Sequence, residues 1–422
     1  MHTTSLPPDS LAYALLLAAR AVAAVFSGKS LSEALAAHAG ELPPTRASAQ
    51  DLAYGALRRY GFGDAILSAL LARPLAAPEI RALLLCALYR LETRPDAAHT
   101  VVDQTVEAAG QIAHGNFRGL VNGVLRNYLR QQAVLIPGLA GDEAIYRHPA
   151  WWVDRLRHAY PDRWVQIVEA GNGQPSMTLR VNQRRGSRDA YLQKLVDAGI
   201  SASPVGQSGI LLAQPQPVDA LPGFFDGLVS VQDCGAQRAA ELLDVSDGQR
   251  VLDACAAPGG KAAHLLELAD LKLTALEVDA RRSRRIDENL ARLGLAAKIK
   301  ITDCRQVKRW WDGIPFDRIL ADVPCSASGV VRRHPDSKWL RRENDIGGFI
   351  RVQRQILEAL WPTLVTGGKL LYATCSVFPE ENNRQVAAFV AARPEAALLV
   401  EEQLLPQEDH DGFYYALLQK TG

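Results

Sequence analysis

The stretch that decides the fold of this chain is residues 250–261, RVLDACAAPGGK. Its first six residues form an apolar run typical of a short strand, and a glycine turn leads from it into a helical pattern. Adjacent glycines let the backbone approach a ligand closely, and the helix that follows supplies free amides. The turn lacks both GxGxxG and GxxxxGK[ST], so a nucleoside ligand without phosphates is favoured over a dinucleotide or a triphosphate. Taken alone, such a loop could also be only a tight turn.

Further apolar runs alternate with helical patterns after this turn. The strand-like runs lie at 250–255, 273–278, 299–302, 318–321 and 369–374. This alternation predicts a parallel, doubly wound α/β sheet of Rossmann-like type. Ligands on such sheets bind beyond the carboxyl ends of the strands, so chemistry is expected at and just after the end of each run.

Acidic residues follow three successive runs. Glu277 ends the second strand about 20 residues past the glycine turn, a spacing at which an acid accepts hydrogen bonds from ribose hydroxyls. Asp303 follows the third strand, where it can accept from an adenine amino group, and Asp322 ends the fourth. A single acid at such a place is often only an N-cap for the next helix. Three in succession favour an adenosine-type ligand.

Two cysteines follow the fourth and fifth strands. Cys325 comes after Pro324, and Cys375 after Thr374, so both are expected at the same edge of the sheet as the ligand. A free cysteine is often only a small buried hydrophobic residue. Either thiol would become a nucleophile if positive neighbours lowered its pKa, and Lys261 or a helix N-terminus could supply that field.

Composition places the chain among ordinary globular proteins. It has 422 residues, 48% hydrophobic and 22% charged, which is enough for two or three domains. The net charge is only +1, yet residues 281–309 hold ten basic and three acidic side chains and residues 325–354 hold seven and three. Positive charge is therefore concentrated around the predicted active face, which favours a polyanionic partner such as nucleic acid.

The cysteines and the first apolar run bear on the cellular compartment. The six cysteines form no C-x-x-C pair, which argues against a zinc site, another metal centre or a disulfide framework, and favours a reducing cytoplasm. The run at 11–26 lacks a basic leader and is broken by Arg20, so neither a signal peptide nor a membrane span is predicted. Asp9 or Ser10 is expected to cap the helix that begins there.

The first part of the chain differs from the rest in composition and hydrophobic pattern. Residues 11–132 are rich in Ala, Leu and Arg with proline breaks, which predicts an all-helical domain whose clearest helix covers 117–128. A connector follows near 135–142. The segment 145–228 then reads as a small α/β module, with strands at 177–182 and 210–213 and a helix at 189–198. Its four arginines within nine residues suit either phosphates or a solvated surface: Arg180, Arg184, Arg185 and Arg188.

Three motifs carry a resemblance to a known family. DACAAPGGK (253–261), DVPCSASGVVRRHPDSKW (322–339) and YATCSVFPEEN (372–382) resemble the motifs of the RNA cytosine-5 methyltransferases that use S-adenosylmethionine. The helical part, with DQTVEAAG and FRGLVNGVLRNYLR, is similar to the RNA-binding fold of the NusB antitermination family. With TLRVN and FFDGLVSVQDCGAQ between them, nearly the whole chain resembles the Sun/Fmu family of 16S ribosomal RNA methyltransferases.

The resemblance implies three domains. They are a helical NusB-like RNA-binding domain at 1–140, a small α/β module that binds RNA or acts as a linker at 145–228, and a catalytic domain at 229–422. The last would be the Rossmann-like sheet of a class I S-adenosylmethionine-dependent methyltransferase. The implied partner is 16S ribosomal RNA or an early assembly intermediate of the small subunit. The resemblance also implies that the protein is a monomer and does not bind a membrane.

The resemblance also implies catalytic roles. The Thr-Cys cysteine, Cys375, would add to carbon 6 of cytosine, while Cys325 would assist loss of the carbon 5 proton and release of product. Asp322 would hold the cytosine edge, and Lys261 would help to polarise the site. The DNA branch uses the Pro-Cys cysteine instead, so possession of both residues favours RNA. The target base would be presented from a loop or flipped out.

The resemblance implies that the motif loop and the strand-end acids bind the cofactor. Glu277 stands where this family more often has Asp, although its longer side chain could still span a ribose diol. The implied contacts with S-adenosylmethionine are Ala254, Cys255, Ala256, Ala257, Pro258, Gly259, Gly260, Glu277, Asp303 and Asp322.

Two alternatives remain open from the sequence. One is a noncatalytic protein that binds ribosomal RNA or acts like an antitermination factor, with its third domain kept as a scaffold. It predicts a damaged site, whereas both cysteines and the glycine turn are present. The other is an amino-group methyltransferase, which usually has Asn or Asp followed by Pro-Pro and an aromatic residue after the fourth strand. Here that place reads DVPC, which favours a covalent route.

Overall fold

A computed structural model of the chain describes residues 6–421. The first five residues of the predicted 1–140 domain lie outside this range. The chain divides into two compact units. One runs to Gly173 and also includes Val331–Glu343, and the other comprises Gln174–Val330 and the chain from Asn344 onward. Both the helical and the α/β character expected from the sequence are confirmed.

The first unit is built from helices around one apolar core. The first helix begins where expected, because the Ser10 hydroxyl accepts a hydrogen bond from the Tyr13 amide at 3.1 Å. The predicted helix at 117–128 is confirmed within a longer one, with Val121, Leu125 and Tyr128 buried. The helices are α1 Leu11–Phe26, α2 Leu31–Ala36, α3 Pro43–Arg58, α4 Tyr60–Leu70, α5 Pro78–Thr93, α6 Ala98–Ala109, α7 Arg118–Leu135, α8 Asp142–Tyr146, α9 Ala150–Ala159 and α10 Trp164–Asn172.

The second unit begins with a small antiparallel sheet. Its elements are β1 Met177–Val181, α11 Arg188–Asp197, β2 Ala202–Val205, β3 Gly209–Leu212 and β4 Val229–Val231. The strand order is β2-β3-β1-β4, with every neighbouring pair antiparallel. The predicted strands at 177–182 and 210–213 and the helix at 189–198 are each found within one residue of their expected ends.

A seven-stranded sheet forms the rest of this unit, in the order β10-β11-β9-β8-β5-β6-β7. Its strands are parallel except β11, which runs antiparallel to both neighbours. The elements are α12 Cys234–Leu243, β5 Arg250–Asp253, α13 Gly260–Leu268, β6 Lys272–Glu277, α14 Ala280–Leu293, β7 Lys298–Ile301, α15 Val307–Trp310, β8 Phe316–Asp322, α16 Asp336–Leu340, α17 Asp345–Leu360, β9 Leu364–Thr374, α18 Asn383–Ala391, β10 Ala396–Leu404 and β11 Phe413–Lys420. Short 3₁₀ turns lie at Pro95–Ala97, Ala113–Gly115, Ile136–Gly138, Val218–Ala220 and Trp361–Thr363.

All five strands predicted from the sequence are present and mutually parallel. The apolar runs of the inner strands are continuous because helices cover both faces of a parallel sheet, so both sets of side chains are buried. Val251, Leu252, Ile319, Leu320 and Leu370 are fully buried in this way. The edge strand β7 is instead half or fully exposed. The carboxyl ends of β5 to β9 consequently meet at one edge. None of the helices between residues 6 and 421 is long and apolar enough to cross a membrane.

Residues 331–343, which carry α16, belong to the helical unit although most of them are part of the motif at 322–339. Lys338 is fully buried there, and its Nζ donates to the carbonyl oxygens of Arg58 and Arg147 at 3.2 and 2.9 Å. The Trp339 indole donates to the Leu57 carbonyl at 2.8 Å. The segment is thus anchored among α3 and its neighbours by buried hydrogen bonds.

Candidate active site

Residues at the carboxyl ends of the central strands line one cavity of about 320 Å³. Of the residues singled out in the sequence, Ala254, Cys255, Ala257, Glu277, Asp303, Asp322, Cys325 and Cys375 line it. Ala256, Pro258, Gly259, Gly260 and Lys261 are not among its lining residues. The expectation that strand-end acids and both cysteines meet at one edge of the sheet is therefore confirmed geometrically.

The structure requires a glycine at position 259 because of backbone conformation and helix packing, and not because of a ligand. Gly259 precedes α13 in a left-handed conformation with φ of +97°, and an added Cβ would lie 3.1 Å from the Ile286 Cα in α14. A side chain would therefore be both strained and crowded. Gly260 carries no such restriction, because its nearest contact would be an ordinary 3.7 Å.

Arg180, which lies in β1 of the small sheet, binds the start of α13. It is fully buried, and its guanidinium donates to the Gly260 carbonyl at 2.8 Å and to both carboxylate oxygens of Glu267 at 2.8 and 2.6 Å. For Arg180 both sequence expectations, a phosphate contact or a solvated surface, are wrong. A buried charge needs a partner, and Glu267 supplies it.

The other three arginines of the cluster also make contacts within this unit. Arg184 donates to the Ala269 carbonyl at 2.6 Å, Arg185 to the Leu293 carbonyl at 3.1 Å, and Arg188 to the Gly206 carbonyl at 2.7 Å. The cluster joins the small sheet to neighbouring loops.

Each strand-end acid is paired with a cation. Glu277 is buried and accepts from the Asp279 amide at 3.0 Å, with an Arg282 nitrogen 3.6 Å away. Arg305 donates to Asp303 at 2.6 Å, and this hydrogen bond lowers the pKa of the Asp303 carboxyl.

Lys261 pairs with the third acid. Its Nζ donates to Asp322 Oδ2 at 2.6 Å. Burial alone would lower the pKa of Lys261, but attraction to Asp322, the hydrogen bond to it and the nearby Cys375 and Asp253 raise it overall. The side chain therefore remains an ammonium ion beside the cysteines.

Asp253 is a site residue that the sequence analysis did not single out. It ends β5 fully buried, and neither carboxylate oxygen receives a hydrogen bond of normal geometry from the described residues. Burial, followed by repulsion from Asp322, raises its pKa to about 7, although Lys261 and the Cys255 amide oppose the shift. An acid within an apolar strand was the available signal.

The two motif cysteines are in contact. Their Sγ atoms lie 3.3 Å apart. The hydrogen bond to Cys375, then burial, raises the pKa of Cys325 well above its usual value. Cys325 therefore keeps its proton and can donate it toward the Cys375 sulfur. A second pair, Cys255 and Cys304, meets at the cavity wall, where the hydrogen bond to Cys304 and burial raise the pKa of Cys255.

The residues that the structure describes contain no group of three or more His, Cys, Asp or Glu side chains that could hold a metal ion. The arrangement at the strand ends is instead a pair of thiols, an ammonium ion and several carboxylates. Such a set can form and release a covalent bond to sulfur.

Comparisons with known proteins agree with this architecture. The model of the 16S rRNA methyltransferase RsmB/F family matches residues 240–419, that of the RsmF/B-like ferredoxin-like domain matches 148–219, and that of the NusB family matches 13–130. The crystal structure of PH0851 superposes with a TM-score of 0.82 over 99% of this chain and 100% of that chain, at 23% identity, which shows the shared fold.

Relatives of known name match nearly the whole chain. It is 46% identical to the ribosomal RNA small subunit methyltransferase B of Pseudomonas putida, over 96% of this chain and 98% of the relative. It is 44% identical to the protein of the same name from Vibrio cholerae, over 93% and 94%. At this identity and coverage the chain belongs to the RsmB/F family of 16S rRNA methyltransferases, which use S-adenosylmethionine.

Proposed function

We propose that this protein transfers a methyl group to carbon 5 of a cytosine in 16S ribosomal RNA, with Cys375 as the covalent nucleophile. The observation that carries the proposal is the contact of the two motif thiols at the sheet edge, where their Sγ atoms lie 3.3 Å apart. Cys375 is the more exposed of the two and lines the cavity, whereas Cys325 is buried. The Lys261 ammonium lies beside the pair. Of the two, Cys375 is therefore the better placed to attack.

The chemistry requires such a thiolate because carbon 5 of cytosine is a poor nucleophile. S-adenosylmethionine supplies an electrophilic methyl group when bound. The Cys375 thiolate forms a bond to carbon 6 as N3 takes a proton from solvent, and the electrons of the carbon 5–carbon 6 double bond become available at carbon 5. Asp322, fixed by Lys261, holds the pyrimidine edge where that proton is gained.

Release restores the carbon 5–carbon 6 double bond. After methylation the carbon 5 proton leaves, the bond from carbon 6 to the Cys375 sulfur breaks, and N3 gives its proton back to solvent. Cys325 passes its own proton to the departing Cys375 sulfur and accepts the proton from carbon 5, so both cysteines end as thiols. Loss of one proton from Cys375 to solvent then regenerates the thiolate for the next turnover. The 3.3 Å contact brings the two sulfurs within reach for the exchange.

The cavity residues suit the cofactor. Glu277 at the end of β6 can accept from ribose hydroxyls, and Asp303 after β7 from an adenine amino group. Asp322 after β8 can pair with the amino end of the methionine. The backbone of 254–260 would pass around the methionine and ribose. The two arginines of the cavity lining, Arg282 and Arg305, are paired with Glu277 and Asp303. This pairing fits a nucleoside without phosphates.

An exposed basic surface next to the cavity suits an RNA backbone. Its residues are Arg281, Arg282, Arg284, Arg285, Arg305, Lys308 and Arg309. Arg282 and Arg305 also line the cavity. We propose that this surface binds phosphates near the target base, and that a helical domain at 1–140 and a module at 145–228 bind surrounding RNA as parts of a monomer.

The first test is to identify the product in cysteine variants. Wild type, Cys375→Ala and Cys234→Ala are incubated with methyl-labelled S-adenosylmethionine and unmodified 16S ribosomal RNA, and the digested nucleosides are separated. We expect label in 5-methylcytidine for wild type and for the control Cys234→Ala, and a loss of about 1,000-fold or more in Cys375→Ala, because no covalent route remains. Undiminished turnover by Cys375→Ala, or label in another nucleoside, would refute the proposal.

A further inference from the structure

The two loops that carry the motif cysteines converge on one buried carboxylate, that of Glu381 at the end of the YATCSVFPEEN motif. Glu381 Oε1 accepts from the Ser326 amide at 2.9 Å, and Oε2 accepts from the Ser326 hydroxyl at 2.5 Å. The Ser376 hydroxyl donates to the same Oε2 at 2.6 Å. Ser326 directly follows Cys325, and Ser376 directly follows Cys375, so one side chain fixes the residue after each thiol.

Hydroxyl groups extend this connection between the loops. The Ser328 and Ser376 hydroxyls are 2.9 Å apart, those of Ser326 and Ser328 are 3.0 Å apart, and the Ser328 hydroxyl accepts from the Val377 amide at 2.9 Å. The three serines are all buried. A buried network in which every member has partners holds a single geometry.

Helix α17 contributes the remaining contact. The Gln353 amide donates to Glu381 Oε1 and to the Pro324 carbonyl, both at 3.0 Å. Pro324 precedes Cys325, so the backbone on each side of this cysteine is tied to Glu381 directly or through Gln353. Neither Lys nor Arg pairs with Glu381 among the residues that the structure describes. Its two buried oxygens are held by hydrogen-bond donors alone, an arrangement that is costly unless every donor stays in place.

We infer that Glu381 is a positioning residue that sets the separation and alignment of the Cys325 and Cys375 thiols. The inference rests on the proposed function for its catalytic consequence, but the geometry of the thiol pair can be measured independently of methylation. The carboxylate accepts from one amide, two hydroxyls and one carboxamide. A glutamine at this position has nearly the same shape but replaces one of the two acceptor oxygens by an NH₂ group, so at least one pair of these donors loses its acceptor.

The test uses the full chain and the rate at which the two thiols form a disulfide with diamide, which oxidises both sulfurs and is itself reduced to the hydrazine. Wild type, Glu381→Gln and the adjacent control Glu380→Gln are compared, with the Cys325–Cys375 linkage identified by peptide mass spectrometry. We expect fast linkage in wild type and the control, and linkage slower by about tenfold in Glu381→Gln, because disulfide geometry is specific.

The second readout is steady-state kinetics with 16S ribosomal RNA. In Glu381→Gln, kcat should fall by about 100-fold while KM for RNA and the Kd for S-adenosylmethionine stay within about twofold, as expected when reacting groups are misplaced. If Glu381→Gln does not fold, Ser376→Ala, which removes one of the donors to Glu381, should show the same changes in smaller degree.

The outcomes separate the inference from the proposed function. Unchanged linkage and unchanged kcat in folded Glu381→Gln would overturn the positioning role. Slower linkage in Glu381→Gln, found together with no formation of 5-methylcytidine by wild type, would support the positioning role and count against the proposed function alone.

Discussion

At the scale of single residues, Lys261 links the acids of the site to its thiols. Its ammonium group donates to Asp322 and lies close enough to Cys375 for their charges to interact. The side chain is largely buried, so this attraction is less screened than on the surface. The sequence predicted the residue because of its place after the glycine turn, and the structure adds Asp322 as its partner.

We predict that Lys261→Gln slows alkylation of Cys375 by iodoacetamide by about tenfold at neutral pH, because the thiolate loses a stabilising positive charge. Alkylation is followed by peptide mass spectrometry. Lys272→Gln serves as the control, because Lys272 is exposed at the end of β6 away from the cavity. Cys375 in this variant should be alkylated as fast as in wild type. Equal rates in Lys261→Gln and wild type would show that the ammonium group does not act on Cys375.

Residue chemistry could be predicted from the sequence where it coincided with a strand end. Glu277, Asp303, Asp322 and both cysteines were found in this way. Glu381 could not be, because it lies in a loop with no periodicity to show that its carboxylate is buried. Its partners on the Cys325 loop are about 55 residues away, as the Ser326 contact shows.

At the scale of elements, β5 ends in a carboxyl group that is buried away from water. Asp253 lies in β5 between β6 and β8, which pair with it on either side, and its side chain is buried. Burial and repulsion from Asp322 raise its pKa to about 7, whereas an unfolded chain ionises an aspartate near pH 4. The folded chain therefore binds this proton more tightly between about pH 4 and pH 7.

From this sign, the contribution of Asp253 to the free energy of unfolding falls as pH rises through that window and is lowest above about pH 7. We predict that Asp253→Asn, which carries no charge, gains stability relative to wild type between pH 5 and pH 8 by on the order of 2 kcal/mol. Urea unfolding at the two pH values measures this. A stability difference that is the same at both would mean that Asp253 does not titrate in this window.

Elements were predictable where apolar runs alternated with helices. That rule located β5 to β9 to within a few residues, but it missed β10 and β11, which are joined by a loop rather than by a helix. It also missed β2, whose residues are half or fully exposed and include Pro204, so that no apolar pattern marks them.

At the scale of the whole molecule, the charge is nearly balanced, at +1, but unevenly placed. Arg284 and Arg285 project from α14 as exposed side chains, and no hydrogen bond or ion pair engages them within the described part of the chain. They are available to phosphates. By contrast, Lys272 and Lys298 are exposed at the amino ends of β6 and β7, opposite the cavity.

We predict that Arg284→Gln with Arg285→Gln weakens binding of 16S ribosomal RNA and lowers the slope of log K against log salt by about 1.4, since each lost contact with single-stranded RNA removes about 0.7. Titrations at several salt concentrations give the slope, and the Kd for S-adenosylmethionine should not change. The control pair Lys272→Gln with Lys298→Gln should leave the slope near its wild-type value. An unchanged slope in the arginine variant would exclude α14 from the RNA interface.

The domain order of the chain could be anticipated, but the grouping of residues 331–343 with the helical unit could not. The contacts of Lys338 with Arg147 and Arg58 join residues about 190 and 280 positions apart. Nothing in the local pattern of RRHPDSKW indicates such partners, and the segment instead reads as an exposed basic loop. Burial of a lysine was the feature that composition could least predict.

The measurement that tests the covalent mechanism most directly is the trapping of protein on RNA by Cys325→Ala. Without the Cys325 proton relay, release should fail while attack by Cys375 continues. Cys325→Ala incubated with S-adenosylmethionine and unmodified 16S ribosomal RNA should therefore give a protein–RNA adduct stable on a denaturing gel. Cys325→Ala combined with Cys375→Ala should give none. An adduct that persists in the double variant, or a single variant that turns over freely without one, would contradict the assignment of Cys375 as nucleophile.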